Sequence, residues 1–348
     1  QMKINEVLKY ARTLNQHTQL YDILKHRLIN KGYIRSDKQK EDLNDLVLSE
    51  LHLIANNSYQ GFEAQKLHLL FQATYYLNSG NYKSAIRYYQ ELINLFNDNQ
   101  HLILNPPIYY LSAIQGILDS LCIAGLYHET PFFLSKLEEL TQNEYSTEFI
   151  LHLKTLIYIY KSNSLLQAGN FEQALELRDK QENELLKKVT SLGLESQLRL
   201  YLSFAVLGMY TKDYVQARKY MKKIFSLGKL FCAFPSYKIA RLVNLLLQAE
   251  LGNYDFFENE IISIKRNIRF EKQTYITEKL IFKFIQGYPL PSYEKARNKR
   301  WLQYQKDIQK IEQDKYERQL LKTFDVLAWI ESKLTQRSLA DIFIEKAH

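Results

Sequence analysis

Residue types capable of chemistry are sparse along this chain, and none of them falls into an enzyme pattern. The glycine-rich phosphate loop, the dinucleotide-binding glycine motif, the serine-hydrolase elbow and the H-E-x-x-H zinc motif are all absent. No histidine has a second histidine three or four residues away, so no pair of metal ligands shares one helix face. His128 beside Glu129, with Cys122 nearby, is the closest approach to an acid–base group, and a solvated turn explains it. We expect no enzymatic activity, no cofactor and no metal.

The one concentration of charge is the basic stretch, residues 218–241. It carries no acidic residue and seven cations: Arg218, Lys219, Lys222, Lys223, Lys229, Lys238 and Arg241. Five aromatic residues are interleaved with them: Tyr220, Phe225, Phe231, Phe234 and Tyr237. Such a mixture suits a phosphate, an RNA or an acidic peptide. It suits equally a helix with a solvated cationic face and a packed aromatic face, and this second interpretation is favoured.

A recurring helix–turn–helix frame carries these residues. Its clearest copy is residues 73–95, ATYYLNSGNYKSAIRYYQELINL, with the turn at residues 78–81. An aromatic residue follows each copy of the turn at intervals of 45, 44, 43 and 40 residues: Tyr82, Tyr127, Phe171, Tyr214 and Tyr254. Only 11 Gly and 6 Pro interrupt the 348 residues, which favours long helices over many short strands. The sequence therefore predicts an all-α fold of antiparallel helix pairs.

The first copy resembles the tetratricopeptide (TPR) repeat. Ala73, Tyr76, Ala85 and Tyr89 match its small and aromatic positions, where two antiparallel helices touch. The interval is longer than the family's period of about 34 residues, as in uncharacterised bacterial TPR-like proteins of long period. The resemblance implies a right-handed superhelical array (a TPR-like α-solenoid) of about five helix pairs over residues 65–269. Degenerate repeats would precede it in residues 1–64, and a C-terminal helical cap would follow in residues 270–348.

The two ends of the chain predict further helices. In the N-terminal region the apolar spacing indicates helices over residues 4–14, 18–30 and 37–55. Residues 293–333 contain neither Gly nor Pro and predict one long helix or two, followed by a short helix over residues 338–346. We expect this amphipathic ending to cover the exposed apolar face of the last pair, as terminal repeats must.

The TPR resemblance also implies a binding surface. In that family the first helices of the pairs line a concave face that commonly binds extended peptides. The polar residues on the first helices here are Gln115, Asp119, Tyr160, Asn163, Arg199, Ser203, Arg241 and Asn244. Amide side chains suit a peptide backbone because each offers both a donor and an acceptor. Arg199 and Arg241, on successive first helices, would together clamp a carboxylate.

Composition bounds the compartment and the partners. Cys122 and Cys232 stand alone in apolar surroundings, so we expect buried thiols. No apolar leader and no membrane span are visible, and we expect a cytoplasmic protein. The net charge of +8 permits an acidic partner without requiring one. The expected function is a non-enzymatic protein- or peptide-binding scaffold. The alternatives are a regulatory module that binds nucleic acid or an acidic ligand through the basic stretch, and self-association through uncovered repeat ends.

Overall fold

The structure is a computed structural model that describes residues 2–31, 34–55, 61–103, 105–228, 232, 234–270 and 275–347. Every regular element in those residues is a helix, which confirms the predicted all-α class. The chain divides into two compact units, residues 1–146 and 147–348. The division predicted from the sequence pattern, after residues 64 and 269, stays a prediction.

The first unit places α1 beside the pair α4–α5, and α5 packs in turn on α6. Ala73 and Ala85, the predicted contact positions of that pair, are fully buried. At Gly116 of α6 a β-carbon would lie 2.2 Å from the ring of Tyr89, so glycine alone lets α5 and α6 approach this closely. The helices of this unit are α1 (Met2–Lys31), α2 (Asp37–Glu41), α3 (Asn44–Ala55), α4 (Phe62–Asn78), α5 (Tyr82–Asp98), α6 (Ile108–Ala124) and α7 (Thr130–Leu140).

The second unit contains three further pairs and a C-terminal group of helices. They are α8 (Thr147–Gln167), α9 (Phe171–Lys187), α10 (Leu194–Tyr210), α11 (Tyr214–Ser226), α12 (Pro235–Glu250), α13 (Asp255–Phe270), α14 (Ile276–Ile285), α15 (Glu294–Gln313), α16 (Arg318–Leu321), α17 (Val326–Thr335) and α18 (Leu339–Ala347). We call α8, α10 and α12 the first-helix row, because they contact one another in order while α9, α11 and α13 each pack against the preceding helix. α14 packs on α12, but α18 returns to α8. The C-terminal helices therefore do more than cover the last pair.

The turns of the five pairs share one backbone feature, a residue with positive φ. In four turns this residue is glycine, with φ of 78°, 78°, 75° and 74°: Gly80, Gly125, Gly169 and Gly252. In the fourth turn along the chain Lys212 takes the same place with a φ of 62°. The recurrence that the sequence predicts is therefore present as turn geometry, with strain at one copy.

Two predicted boundaries in the N-terminal region are wrong. α1 runs unbroken through the expected stop before Thr18. The Thr18 hydroxyl does not cap a new helix there; it donates to the carbonyl of Leu14 (2.9 Å) within α1. The helix predicted over residues 37–55 is instead two helices, α2 and α3, interrupted at Asp42 and Leu43.

The prediction of one long helix or two over residues 293–333 is also wrong, since three separate helices, α15, α16 and α17, form there. α15 ends where the carboxylate of Asp314 accepts hydrogen bonds from the backbone N–H groups of Tyr316 (2.7 Å) and Glu317 (3.3 Å). α17 begins where Asp325 accepts from the N–H of Ala328 (2.9 Å). Two aspartates thus interrupt the helix in a region that contains neither glycine nor proline.

The two cysteines differ in exposure. Cys122 is buried on α6 as predicted, whereas Cys232 is exposed, contrary to the prediction. Cys232 lies in the segment that connects α11 to α12, and connecting segments run over protein surfaces.

Replacing Lys212 by glycine should raise the free energy of unfolding by about 0.5 kcal/mol, because glycine removes a left-handed penalty of about 1 kcal/mol and gives part of it back in unfolded-chain entropy. Urea denaturation measures the change. Lys212→Ala is the matched control, since alanine removes the same charge and keeps the strained φ. An equal gain in both variants would show that the lysine side chain, and not the backbone, is responsible.

Candidate functional site

The first-helix row binds an irregular segment of the chain's own C-terminal region. The side-chain amide of Asn163 on α8 donates to the backbone carbonyl of Lys322 (3.2 Å). The hydroxyl of Tyr210 on α10 accepts from the backbone N–H of Asp325 (2.6 Å). Between these bonds the ring of Phe324 stacks on the Tyr210 ring, with centroids 5.0 Å apart. An amide, a hydroxyl and an aromatic ring therefore hold two peptide groups and one side chain.

A second anchor of the C-terminal region surrounds the carboxylate of Glu250, at the end of α12. One oxygen accepts from the hydroxyl of Tyr288 (2.9 Å), and the other accepts from Tyr214 and from the ammonium of Lys333 (2.6 Å each). Burial raises the pKa of Tyr214 and of Tyr288, and the neighbouring carboxylate raises both further. The two hydroxyls stay protonated at neutral pH and donate, so both carboxylate oxygens of Glu250 are hydrogen-bonded.

The third anchor is apolar. The ring of Phe343 on α18 lies 6.1 Å from Phe171 and 5.3 Å from Tyr210. At Gly169 a β-carbon would lie 2.9 Å from the side chain of Ile344 and 3.0 Å from the carbonyl of Ala340. The absence of a side chain at Gly169 therefore allows α18 to rest against the turn between α8 and α9.

Next to the docked segment, the row presents an oriented arginine. The guanidinium of Arg199 on α10 donates to the hydroxyl of Tyr160 on α8 (3.1 Å) and lies 5.6 Å from its ring centroid. This contact fixes the direction of a side chain that would otherwise sample many rotamers.

A hydroxyl and an imidazole accompany Arg199. The hydroxyl of Ser196 lies 3.3 Å from Nδ1 of His152. Burial, and after it the charge of Arg199, lowers the pKa of His152, so the imidazole is neutral at pH 7. The cation of this group is therefore Arg199, beside a hydroxyl and a neutral ring. We call Arg199, Ser196 and His152 the Arg199 site; its donors suit a carboxylate.

His152 and Ser196 were not among the residues expected to bind. They are 44 residues apart, which is one interval of the recurring turn. Positions one interval apart lie on successive first helices, so this spacing was the signal that would have paired them.

The predicted peptide-binding residues have different environments. Tyr160 and Asn244 are 2% and 7% exposed, so a partner cannot reach them as the resemblance implied; Tyr160 acts instead by orienting Arg199. A larger part of the circumference of α8 and α12 is buried than the positions of their polar residues indicated. Gln115 and Asp119, on α6 of the first unit, are half-buried.

Three more of those residues lie in the second unit. Asn163 already binds a peptide carbonyl, that of Lys322. Arg241 pairs with Glu260 (2.7 Å) and donates to Ser263 (2.9 Å), so its guanidinium serves the α12–α13 contact rather than a clamp with Arg199. Ser203 is half-buried on α10.

The basic stretch is less uniformly cationic in the fold than in the sequence. Lys219 pairs with Glu182 of α9 (3.4 Å), and the buried Tyr220 donates to the same carboxylate. Lys223 lies over the rings of Tyr201 and Tyr220, and burial followed by Lys219 lowers its pKa. The exposed cations of the stretch are Arg218, Lys219, Lys222 and Lys238, while Lys229 lies outside the described residues.

The described residues contain no group of histidine, cysteine, aspartate and glutamate side chains suited to a metal ion. No helix among them combines the length and the apolar character needed to cross a bilayer.

Replacing Glu250 by glutamine should lower the free energy of unfolding by about 2 kcal/mol, because the largely buried Lys333 loses its carboxylate. The matched control is Glu184→Gln, which breaks an exposed pair with Lys154 and should change stability by less than about 0.5 kcal/mol. Chemical denaturation of both variants measures the two changes in the free energy of unfolding. Equal effects would mean that the Glu250 anchor does not hold the C-terminal region.

Comparison with known proteins adds no relative. No protein-family model, no curated protein and no solved structure matches the chain.

Proposed function

We propose that the protein is a non-enzymatic binding scaffold whose second unit holds an acidic peptide segment of a protein partner at the Arg199 site. In this proposal the helix pairs of the second unit belong to a right-handed superhelical array of TPR type. The compartment is the reducing cytoplasm, and the exposed free thiol of Cys232 supports it.

The orientation of Arg199 is the observation that carries the proposal. A guanidinium forms two parallel bonds with a carboxylate, and the bond is stronger when its geometry is set in advance. Tyr160 is itself buried and therefore gives Arg199 a rigid support. Ser196, in the first turn of α10, adds a hydroxyl. The imidazole of His152 beside it is neutral and therefore does not repel a cationic residue in the peptide.

The docked C-terminal segment supports the choice of a peptide as ligand. Asn163, one turn beyond Tyr160, and Tyr210 already bind a carbonyl and an N–H of an irregular backbone. An amide and a hydroxyl on this row thus form hydrogen bonds with backbone groups that lie outside regular secondary structure. A partner at the Arg199 site would meet the same row, about three turns of α10 before Tyr210.

Nucleic-acid binding through the basic stretch is the second candidate. Exposed Arg218, Lys222 and Lys238 favour it. The pairing of Lys219 with Glu182 and the carboxylates of α9 beside α11 weigh against it, because they repel a phosphate backbone. Binding of a single-stranded RNA that falls steeply with added salt would support this candidate over the first.

Fluorescence anisotropy with two pools of labelled octapeptides tests the peptide proposal. One pool is rich in Asp and Glu; the other carries Asn and Gln in their place, and both are amidated at the C terminus. The acidic pool should bind the full chain, and Arg199→Gln should weaken that binding by about tenfold or more. Arg199→Lys should fall between the two, since lysine keeps the charge without the fork.

Arg218→Gln is the matched control, because Arg218 is an exposed arginine of the same unit on α11. Its binding should equal that of the wild type. If Arg218→Gln weakens the binding and Arg199→Gln does not, the basic stretch is the site and the proposal is wrong.

A further inference from the structure

A long groove follows one face of α1 in the first unit. Its first half is lined by Asn5, Leu8, Lys9, Arg12, Thr13 and Gln16. In its second half α3 forms the opposite wall, and the lining is Gln16, Gln19, Leu20, Ile23, Leu48, Ser49, His52 and Leu53. Gln16 belongs to both halves, so the two are continuous. We call this surface the α1 groove. It extends from Asn5 to Ile23, about 27 Å or five helical turns.

The packing of α1 and α3 explains why apolar side chains line the second half of the groove. α1 turns Thr13, His17 and Leu24 inward, and all three are buried. α3 turns Leu46 and the fully buried Glu50 inward. The apolar side chains on the remaining faces of the two helices are therefore left to line the space between them.

Several of these apolar side chains are open to solvent. Ile23 is 43% exposed, Leu48 67% and Leu8 49%. The half between α1 and α3 encloses about 460 Å³. Ile23 and Leu48 line this same half, and exposed apolar surface of this kind marks interaction sites in folded proteins.

The charge of the α1 groove specifies the partner. Lys9 and Arg12 line its first half, and no carboxylate lines either half among the residues that the structure describes. Of the acidic residues next to the groove in sequence, Asp22 and Asp45 pair with Lys25 and Arg27, and Glu50 is buried against His68 and Gln72. Glu6 is exposed on α1, one turn before Lys9, so the two lining cations outnumber this carboxylate. The groove therefore combines an apolar floor in its second half with a cationic end at Lys9 and Arg12, which favours an acidic ligand.

We infer that the α1 groove binds an acidic amphipathic helix of a protein partner. Such a helix places its apolar stripe against Leu20, Ile23 and Leu48, as in helix-in-groove recognition. Its carboxylates then lie near Lys9 and Arg12. The lining face of α1 is long enough for four to five turns of the incoming helix, and α3 flanks that helix in the second half. This surface lies in the first unit and is independent of the Arg199 site in the second.

Three labelled synthetic peptides of about 20 residues, a length of about five turns, test the inference against the full chain. The first has leucines at helical i, i+3, i+4, i+7 spacing and glutamates on the other faces. The second replaces the glutamates by lysines, and the third scrambles the order of the first. Anisotropy should show the first binding at least about tenfold tighter than the other two.

Two variants examine the floor and the cationic end separately. The double variant Ile23→Gln, Leu48→Gln and the double variant Lys9→Glu, Arg12→Glu should each weaken binding of the first peptide by about tenfold or more. These side chains are exposed, so circular dichroism should show an unchanged helix content. Leu51→Gln is the matched control, because Leu51 is 51% exposed on α3 but does not line the groove. It should bind like the wild type.

Arg199→Gln should keep the preference for the first peptide over the third, which carries the same glutamates, so failure of this inference and failure of the proposed function are distinguishable. Equal affinity for all three peptides, or variants that bind as well as Leu51→Gln, would overturn the inference. Light scattering measures whether a second copy of this chain occupies the groove instead. A wild-type dimer that Ile23→Gln, Leu48→Gln dissociates would show that the groove pairs two copies of this chain, and the inference would be wrong.

Discussion

The second unit depends on how its C-terminal region is held against the first-helix row. Three kinds of contact act together there: backbone hydrogen bonds at Asn163 and Tyr210, the charge of Glu250 with Lys333, and the ring of Phe343 beside those of Phe171 and Tyr210. Each alone is worth a few kcal/mol at most, and the conformational entropy of ordering the segment opposes them. Together they join residues that are more than 80 positions apart, so the fold of this unit is closed by contacts of long range.

Close approach of backbones makes that arrangement available. Small or absent side chains at Ala85, Gly116 and Gly169 let helices and turns come into contact where a larger residue would collide. The positive φ of each turn reverses the chain in the same way five times, and Lys212 accepts strain to keep it. Regular turns thus fix where the polar faces of α8 and α10 lie, and with them the position of Arg199.

Local signals explain what the sequence could predict. The turn residues and the small contact positions act through neighbours a few residues away, so the helix pairs and the burial of Ala73 and Ala85 could be predicted. Breaks made by a single side chain were missed: Asp314 and Asp325 end or begin helices by accepting backbone hydrogen bonds. The support of Arg199 by Tyr160 and the loss of Arg241 to Glu260 depend on which helices meet. No local pattern encodes that.

We propose that one row of helices binds two segments: the chain's own C-terminal segment at Asn163 and Tyr210, and a partner's carboxylate at Arg199. Hydrogen exchange of the full chain, with and without the acidic octapeptide pool, measures both at once. Exchange should slow in residues 149–163 and 194–205 and stay unchanged in residues 318–335. Faster exchange in residues 318–335 would rule out this arrangement, because the peptide would then be displacing the C-terminal segment instead of binding beside it.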